Sequence, residues 1–583
     1  MTFGLELSPP EPERPDTTHG WRARLVPRLL ARPPIVLGSL VLVQWAAVVG
    51  FVLAVRHNGL LFYQGGDQTF FYTVSWVISG GHIPASQIGY GWSYLILPIA
   101  RAFGPNLLTA LPVLVLVQTI VLLPLALYCV YAIAGNIGGR RLGYLAAVAW
   151  VAVPFAVIPL WDRSYHPKYV EQFLPQSFGT TGLGDFPSMV CLLVAALFCV
   201  RALDTKDLLD AVLAGSAAGF AIAIKPANAL FLAGPVLAFA AARRLREGVG
   251  FGVGLLPFLL TLALWKYRGL GHLPIVTPDP EAGVFDRRLA AALGSLPAGV
   301  ELDRYVDIDW SRLGENYSDL RGVFWGLPLL QSLPLVGFVA ATRRSWPKAL
   351  LLGGWLGAFL IVKGSSDQAT IDAGTLLRLV MPGFPPLLIL SALIPLLVVG
   401  SRISKWAPIR SAPVRRGYAA AAVAAFCLVP LLLFVVLPPL RAHTAVKYFP
   451  EDVMVPVDAA FVLDARESDE GVLVSWQAPS SPGVRAFYRV FRSRPIVPAP
   501  DPTLPPGRDG VRCHEQPASG YAEAVDCALE MSLVGVTRAS PFVDRPPAGP
   551  WVYRVGLAAN WLDDADAGDI VLLSKPGRLP AQS

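Results

Sequence analysis

The chain has 583 residues, 54% of them hydrophobic and 15% charged, with a formal net charge of +7. Soluble domains carry about 25% charged residues, so a wholly soluble protein is excluded, and the apolar content excludes intrinsic disorder. In a chain of this kind the basic excess reads first as membrane topology, not as nucleic-acid binding.

Residues 1–33 are polar and proline-rich and read as a cytoplasmic tail, not a signal peptide, because the first apolar run is long enough to span a bilayer. A hydrocarbon core takes roughly 20 apolar residues per helix. Eleven runs approach that length: about 34–55, 106–134, 142–160, 185–200, 208–223, 226–242, 249–265, 324–341, 349–362, 376–400 and 418–438. The expected fold class is a polytopic α-helical membrane protein with about 11 transmembrane helices over residues 34–440. Residues 208–242 read as a tight hairpin turning at Lys225-Pro226, where proline removes a backbone donor and resists helix continuation. Residues 85–105 also suit a short re-entrant or interfacial helix.

Loop charge sets the orientation. With the N-terminus in the cytoplasm, the inner segments carry 20 basic residues and the short outer loops carry 6 (Arg56, Arg101, Arg163, Lys168, Lys225 and Lys363). The C-terminus then lies outside. The large segments 56–105, 161–184, 266–323 and 363–375 lie on the same outer side, which is where function is expected.

The first outer loop places Asp67 after Gly65-Gly66 and before an apolar run in which Phe71, Val74 and Ile78 share a helix face, with Gly80-Gly81 as its stop. Asp67 is also placed to cap that helix. The second outer loop collects Asp162, Arg163, Tyr165, His166, Lys168, Tyr169 and Glu171, and ends at Asp185, where the next apolar run starts. Tyrosine and tryptophan there also serve as interfacial anchors, and Asp185 can be a helix cap. Lys225 interrupts an apolar hairpin on the outer side, against the charge rule, so a partner or a task is expected of it; snorkelling to headgroups is the alternative. Arg378 opens a late span on the same side, and its guanidinium suits a phosphate.

From about Pro456 the pattern changes to short alternating strands, including Gly471–Trp476, Phe487–Phe491, Trp551–Leu557 and Asp569–Leu573, separated by proline- and glycine-rich turns. This pattern predicts an extracytoplasmic all-β sandwich. With Trp476, then Tyr488-Arg-Val, then Asp544-Arg-Pro-Pro-Ala-Gly and Tyr553-Arg-Val, residues 456–578 resemble a fibronectin type III module. That resemblance implies that the tryptophan and both tyrosines pack between the sheets. Cys513 and Cys527 are the disulfide candidates in an oxidising compartment, with two free thiols as the alternative. Cys129, Cys191, Cys199 and Cys427 lie in apolar runs and read as inert buried thiols.

An acid in the first outer loop, the Lys225-Pro-Ala-Asn228 hairpin and the Arg378-Leu-Val-Met-Pro382 segment follow one another on one side of the membrane. In that order, over residues 34–400, they resemble the GT-C superfamily of polytopic glycosyltransferases. The resemblance implies a polyprenyl-phosphate sugar donor, a glycan, lipid or protein acceptor, and catalysis at the extracytoplasmic membrane face. It puts the catalytic acid at Asp67, with inverting transfer as the expected course. Many members pair two acids in that loop. Here Gln68 follows Asp67, which leaves open whether Asp67 acts alone or with Asp162, Glu171 or Asp185 and weakens the case for a divalent cation (Mg or Mn). Lys225 and Arg378, with His166 and Lys168, are then the candidates for the lipid phosphate. A transporter or flippase of a lipid-linked or polar solute is the alternative, and a non-catalytic envelope scaffold the third reading.

Overall fold

The computed structural model describes residues 32–54, 66–84, 88–104, 107–154, 177–270, 273, 308–323, 328–366, 369–370, 375–398 and 416–438 of the helical part. In the C-terminal part it describes 445–448, 455–456, 461–477, 486–493, 515–518, 521–525, 528–529, 532–559, 570–574 and 577–579. In chain order the helices are α1 (Pro33–Ala54), α2 (Gly66–Ser79), α3 (Gly91–Leu95), α4 (Leu97–Phe103), α5 (Leu107–Gly138), α6 (Arg140–Ala152), α7 (Asp185–Thr205) and α8 (Leu208–Ile224). They continue as α9 (Ala233–Ala241), α10 (Leu245–Leu270), α11 (Trp310–Val323), α12 (Pro328–Thr342), α13 (Trp346–Gly364), α14 (Thr375–Val380), α15 (Phe384–Ala392) and α16 (Gly417–Val436).

Each of the eleven apolar runs falls mainly on helix where it is described, with turns at Ala242 and Leu393 and non-helical ends at Val398 and Leu437. Among the described residues seven helices are long and apolar enough to cross a membrane. Leu208–Ile224, Pro226–Ala241 and Ser332–Thr342 are apolar but shorter, so the count of eleven crossings is not established by length. The outermost helices carry their apolar side chains outward: Leu42, Val49 and Leu53 on α1, and Leu432 and Val436 on α16, are exposed. A face of that size is costly in water and costs nothing in hydrocarbon, as a multi-pass membrane protein requires.

The 85–105 segment forms two short helices, α3 and α4. Helix α5 is interrupted by a π-turn at Gln118–Leu122. The looser turn leaves backbone oxygens underused, and Trp45 of α1 donates its indole N–H to the Thr119 carbonyl at 2.8 Å.

Helix α7 is the most buried of the long apolar helices, and α8 packs against both α7 and α10. The α8–α10 contact is close because it is made over glycine. A Cβ on Gly215 would lie 1.9 Å from the Phe251 carbonyl oxygen, and one on Gly254 would lie 2.0 Å from the Val212 oxygen. Small residues let membrane helices pack backbone to backbone. Gly215→Val is therefore expected to force the helices apart and to destabilise by about 2 kcal/mol, the range of core overpacking. A fall in the thermal midpoint of the detergent-solubilised protein checks this; an unchanged midpoint would contradict the packing described.

A polar network ties the ends of α5, α7, α8 and α13 together where α7 ends and α8 starts. Asp207 caps α8 by accepting from Leu209 N at 3.0 Å. Arg201 pairs with Asp210 at 2.9 Å, and Lys348 reaches both Asp204 and Asn136 at 2.6 Å.

The described residues of the C-terminal part form four sheets, two of which are antiparallel and pack against each other. Strands β1 (Leu463–Ser468), β2 (Gly471–Trp476), β3 (Ala486–Ser493), β4 (Ser532–Thr537), β5 (Phe542–Asp544), β6 (Val552–Ala559), β7 (Ile570–Leu573) and β8 (Gly577–Arg578) pair in the orders β5-β2-β1 and β7-β6-β3-β4, with β8 also on β6. Val474, Trp476, Val490, Tyr553, Val555 and Leu557 share one buried cluster, so the sheets face each other. Trp476 and Tyr553 are buried, and the Trp476 and Tyr488 rings lie 5.2 Å apart. Tyr553 donates its hydroxyl to Asp544 Oδ2 at 2.7 Å, and Arg492 donates to the same oxygen at 2.7 Å. Cys513 and Cys527 lie outside the described residues, and Cys129, Cys191, Cys199 and Cys427 are free thiols.

Candidate functional site

Helix α7 starts at Asp185 and α8 returns antiparallel to end at Ile224, so Asp185 and Lys225 meet at one end of the bundle. The sequence explains why Lys225 faces inward there. Pro226 ends the helix, and Lys225 takes an extended backbone (φ −138°, ψ 106°) before a 3-10 turn over Pro226–Leu232. Asn228 folds back and donates its side-chain amide to the Ala221 carbonyl at 2.9 Å, which also accepts from Lys225 N at 3.0 Å, so this oxygen is shared by the two ends of the turn. Lys225 Nζ donates to Asp185 Oδ1.

Arg378, on α14, closes the arrangement. Its Nε donates to Asp185 Oδ2 at 3.3 Å, and its Nη2 donates to Asp67 Oδ2. The result is a chain of alternating charge, Lys225–Asp185–Arg378–Asp67, drawn from four separate elements. Burial differs sharply along it. The Asp185 side chain is 1% exposed, whereas that of Asp67 is 48% exposed. A buried carboxylate with cations on both oxygens is a structural anchor; a half-open one with a single ion-pair partner among the described residues remains able to meet a substrate.

Asp67 sits in the first turn of α2, whose Phe71, Val74 and Ile78 are buried as the spacing predicts. Gly80 and Gly81 end that helix, Gly81 with φ +88°. The neighbouring Gln68 is fully buried and accepts from Gly182 N at 2.6 Å. Trp92 donates to the Gly182 carbonyl at 2.8 Å, and Gln118, from the π-turn, donates to the Thr181 carbonyl at 2.6 Å. The loop that leads into Asp185 is thus fastened to α2, α3 and α5. Gln68 stands where a second acid is expected in the first loop, and it positions this loop instead.

The structure brings together Asp67, Lys225 and Arg378. Asp162, His166, Lys168 and Glu171 lie outside the described residues. The residue that the sequence reading left as one option among three is Asp185, and it is the hub of the site. Its signal was present: an acid opens a long apolar helix, and a lysine of opposite sign closes the next helix on the same side. Lys225 and Arg378 are the candidates for a lipid phosphate. Here they meet carboxylates, because a cation inside a low-dielectric bundle needs a counter-charge and Asp185 supplies it. For the divalent cation considered above, the described acids offer only Asp67 and Asp185, both already turned to protein cations. No group of three His, Cys, Asp or Glu side chains occurs among the described residues. That donor set does not fit a divalent ion.

No family model and no curated protein matches the sequence. Solved structures show a loose likeness. ArnT from Cupriavidus metallidurans bound to undecaprenyl phosphate matches with a TM-score of 0.40 at 15% identity, over 66% of this chain and 63% of that one. The archaeal oligosaccharyltransferase AglB from Archaeoglobus fulgidus, in complex with an inhibitory peptide and a dolichol-phosphate, matches with a TM-score of 0.39 at 14% identity, over 71% of this chain and 56% of that one. This chain therefore spans less than two thirds of the length of either.

Proposed function

We propose that this chain is a membrane glycosyltransferase that moves a sugar from a polyprenyl-phosphate donor to a hydroxyl of a glycan, lipid or protein acceptor at the extracytoplasmic face. The observation that supports it most directly is the convergence of Asp67, Asp185, Lys225 and Arg378 at one end of an apolar helical bundle. In this reading Asp67 is the general base. It takes the acceptor hydroxyl's proton as that oxygen attacks the anomeric carbon; the bond from that carbon to the phosphate oxygen breaks, and its electron pair leaves on the phosphate. The course is inverting, since one displacement occurs at that carbon. Arg378 shifts from Asp67 toward the donor phosphate as it binds, which frees the carboxylate for its task. Lys225, steadied by Asp185, lies ready beside the developing charge. Cations aimed at charge that grows in the transition state are a large catalytic term.

A transporter has no observation in its favour here. Transporter sites lie near the bilayer midplane, whereas the charged side chains described in this bundle lie within about a turn and a half of helix ends. The C-terminal sandwich, read as a fibronectin type III-like module over 456–578, is proposed to hold the acceptor or to steady the 266–323 loop. The test is incubation of the purified protein in nanodiscs with radiolabelled polyprenyl-phosphate sugars and a cell-envelope acceptor extract. Label is expected to leave the lipid and appear in the acceptor. Absence of transfer across hexose and pentose donors, together with solute uptake into proteoliposomes, would overturn the reading.

A further inference from the structure

An ion pair between two helix ends needs those ends in register, and here apolar contacts one residue away set that register. Gly184 precedes Asp185, and Ile224 precedes Lys225. A Cβ on Gly184 would lie 3.1 Å from Ile224 Cγ2 and 3.0 Å from Phe71 Cζ, closer than carbon atoms pack without strain. A Cβ on Gly91 would lie 2.7 Å from Ile224 Cγ1, and one on Gly89 would meet the Ala223 and Ile224 carbonyl oxygens. Ile224 is fully buried. Its side chain is a knob seated between two glycines, Gly184 on one side and Gly91 on the other. Both walls of the seat are fastened from behind. Ile88, ahead of Gly89, offers its carbonyl to Trp265 Nε1 at 3.2 Å and to Lys266 Nζ at 3.0 Å, both from α10. Tyr90, between the two glycines, is fully buried, its ring 5.0 Å from that of Phe434 on α16. On the other wall, Gln68 and Trp92 hold Gly182.

We infer that Ile224 is a positioning residue for the site: seated between Gly184 and Gly91, it fixes the end of α8 so that Lys225 is held on Asp185. This role rests on the transferase reading for the use made of the charges, and it adds the contact that places them. Ile224 touches no reacting atom and acts through Lys225. Charged groups that need no rearrangement at the moment of reaction stabilise a transition state most, and a rigid apolar seat supplies that readiness where a long, flexible lysine side chain alone does not.

The experiment is lysine acetylation of the full chain in phosphatidylcholine nanodiscs by acetic anhydride, with the rate at each lysine read by peptide mass spectrometry. Lys348, paired with Asp204 and Asn136 at the opposite end of α7 and α8, is the internal control. Ile224→Ala empties the seat and is expected to speed acetylation of Lys225 at least about tenfold, the scale of coupling between groups in contact, with Lys348 unchanged. Ile224→Val keeps both γ carbons and should leave Lys225 slow. Gly184 has backbone angles that alanine adopts (φ −78°, ψ −3°), so Gly184→Ala acts only through its methyl, which should displace Ile224 and speed Lys225 as well. In the double variant that methyl fills part of the emptied seat, so Lys225 should react more slowly than in either single variant. Should Ile224→Ala fail to fold, Gly184→Ala and Ile224→Val carry the test. Lys225 as slow in the alanine variants as in the unaltered protein overturns the assignment. So does equal quickening of Lys348, which would mark general loosening, or an Ile224→Val variant as fast as Ile224→Ala. Labelling needs no sugar donor, so each of these results leaves the transferase reading standing. Absence of transfer by the unaltered protein, with labelling as expected, would overturn that reading and leave the seat of Ile224 in place.

Discussion

Asp67→Asn will lower sugar transfer by about 10²–10⁴-fold, the usual worth of a positioned general base, while leaving the protein folded and inserted. The two halves of that expectation come from different observations. The loss of rate follows from the chemistry, because the amide has no proton affinity at neutral pH yet keeps the size and shape of the acid. The retained stability follows from exposure. Asp67 is 48% exposed, and its ion-pair partner among the described residues is Arg378. Ion pairs so open to solvent contribute about 0–1 kcal/mol, and the asparagine oxygen can still accept from the guanidinium. Transfer measured at saturating donor separates the roles further. A base acts on the chemical step, so kcat should fall with little change in KM for the lipid donor. If Asp67→Asn transfers at the rate of the unaltered protein, the base lies elsewhere, and Asp162 or Glu171 becomes the next variant to make.

Much of this arrangement was legible in the sequence because membrane chains write their architecture in long apolar runs. Every run falls mainly on helix where it is described, and the break at Lys225-Pro226 falls where proline chemistry demands it. Strands Gly471–Trp476 and Val552–Ala559 were visible for a similar reason, since period-two alternation and aromatic content mark a half-buried strand. Leu463–Ser468 was missed, although it pairs with Gly471–Trp476 along its whole length. Its residues Leu-Asp-Ala-Arg-Glu-Ser are mostly polar, and only pairing reveals their conformation. The site divides in the same way. Charges that break a rule of their surroundings, such as Lys225, can be noticed singly. Asp185 obeys the rule for helix starts and so looked ordinary. Its importance comes from two cations that are distant in sequence, and no local pattern records that meeting.

Asp185→Asn should damage the protein where Asp67→Asn does not. The substitution keeps volume and one oxygen acceptor but removes the charge that Lys225 and Arg378 share. Lys225 would then have no carboxylate of its own among the described residues, and Arg378 would keep only Asp67 there. Breaking a buried ion pair from one side costs about 3–5 kcal/mol, since the remaining charge is left uncompensated. The lower end, about 3 kcal/mol, is expected here because Lys225 is 20% exposed and can draw on water or headgroups. The measurement is the thermal midpoint in detergent, with transfer activity alongside. A second substitution identifies the cause: Lys225→Met in the Asp185→Asn background removes the stranded cation, so the double variant should recover part of the lost midpoint without recovering transfer. Non-additivity of that kind is the mark of two groups in direct contact. An Asp185→Asn midpoint equal to that of the unaltered protein would mean that Asp185 does not anchor the cluster. The convergence of α7, α8 and α14 would then have to be held by apolar packing alone, and the division of labour between a buried anchor and an exposed base would lose its footing.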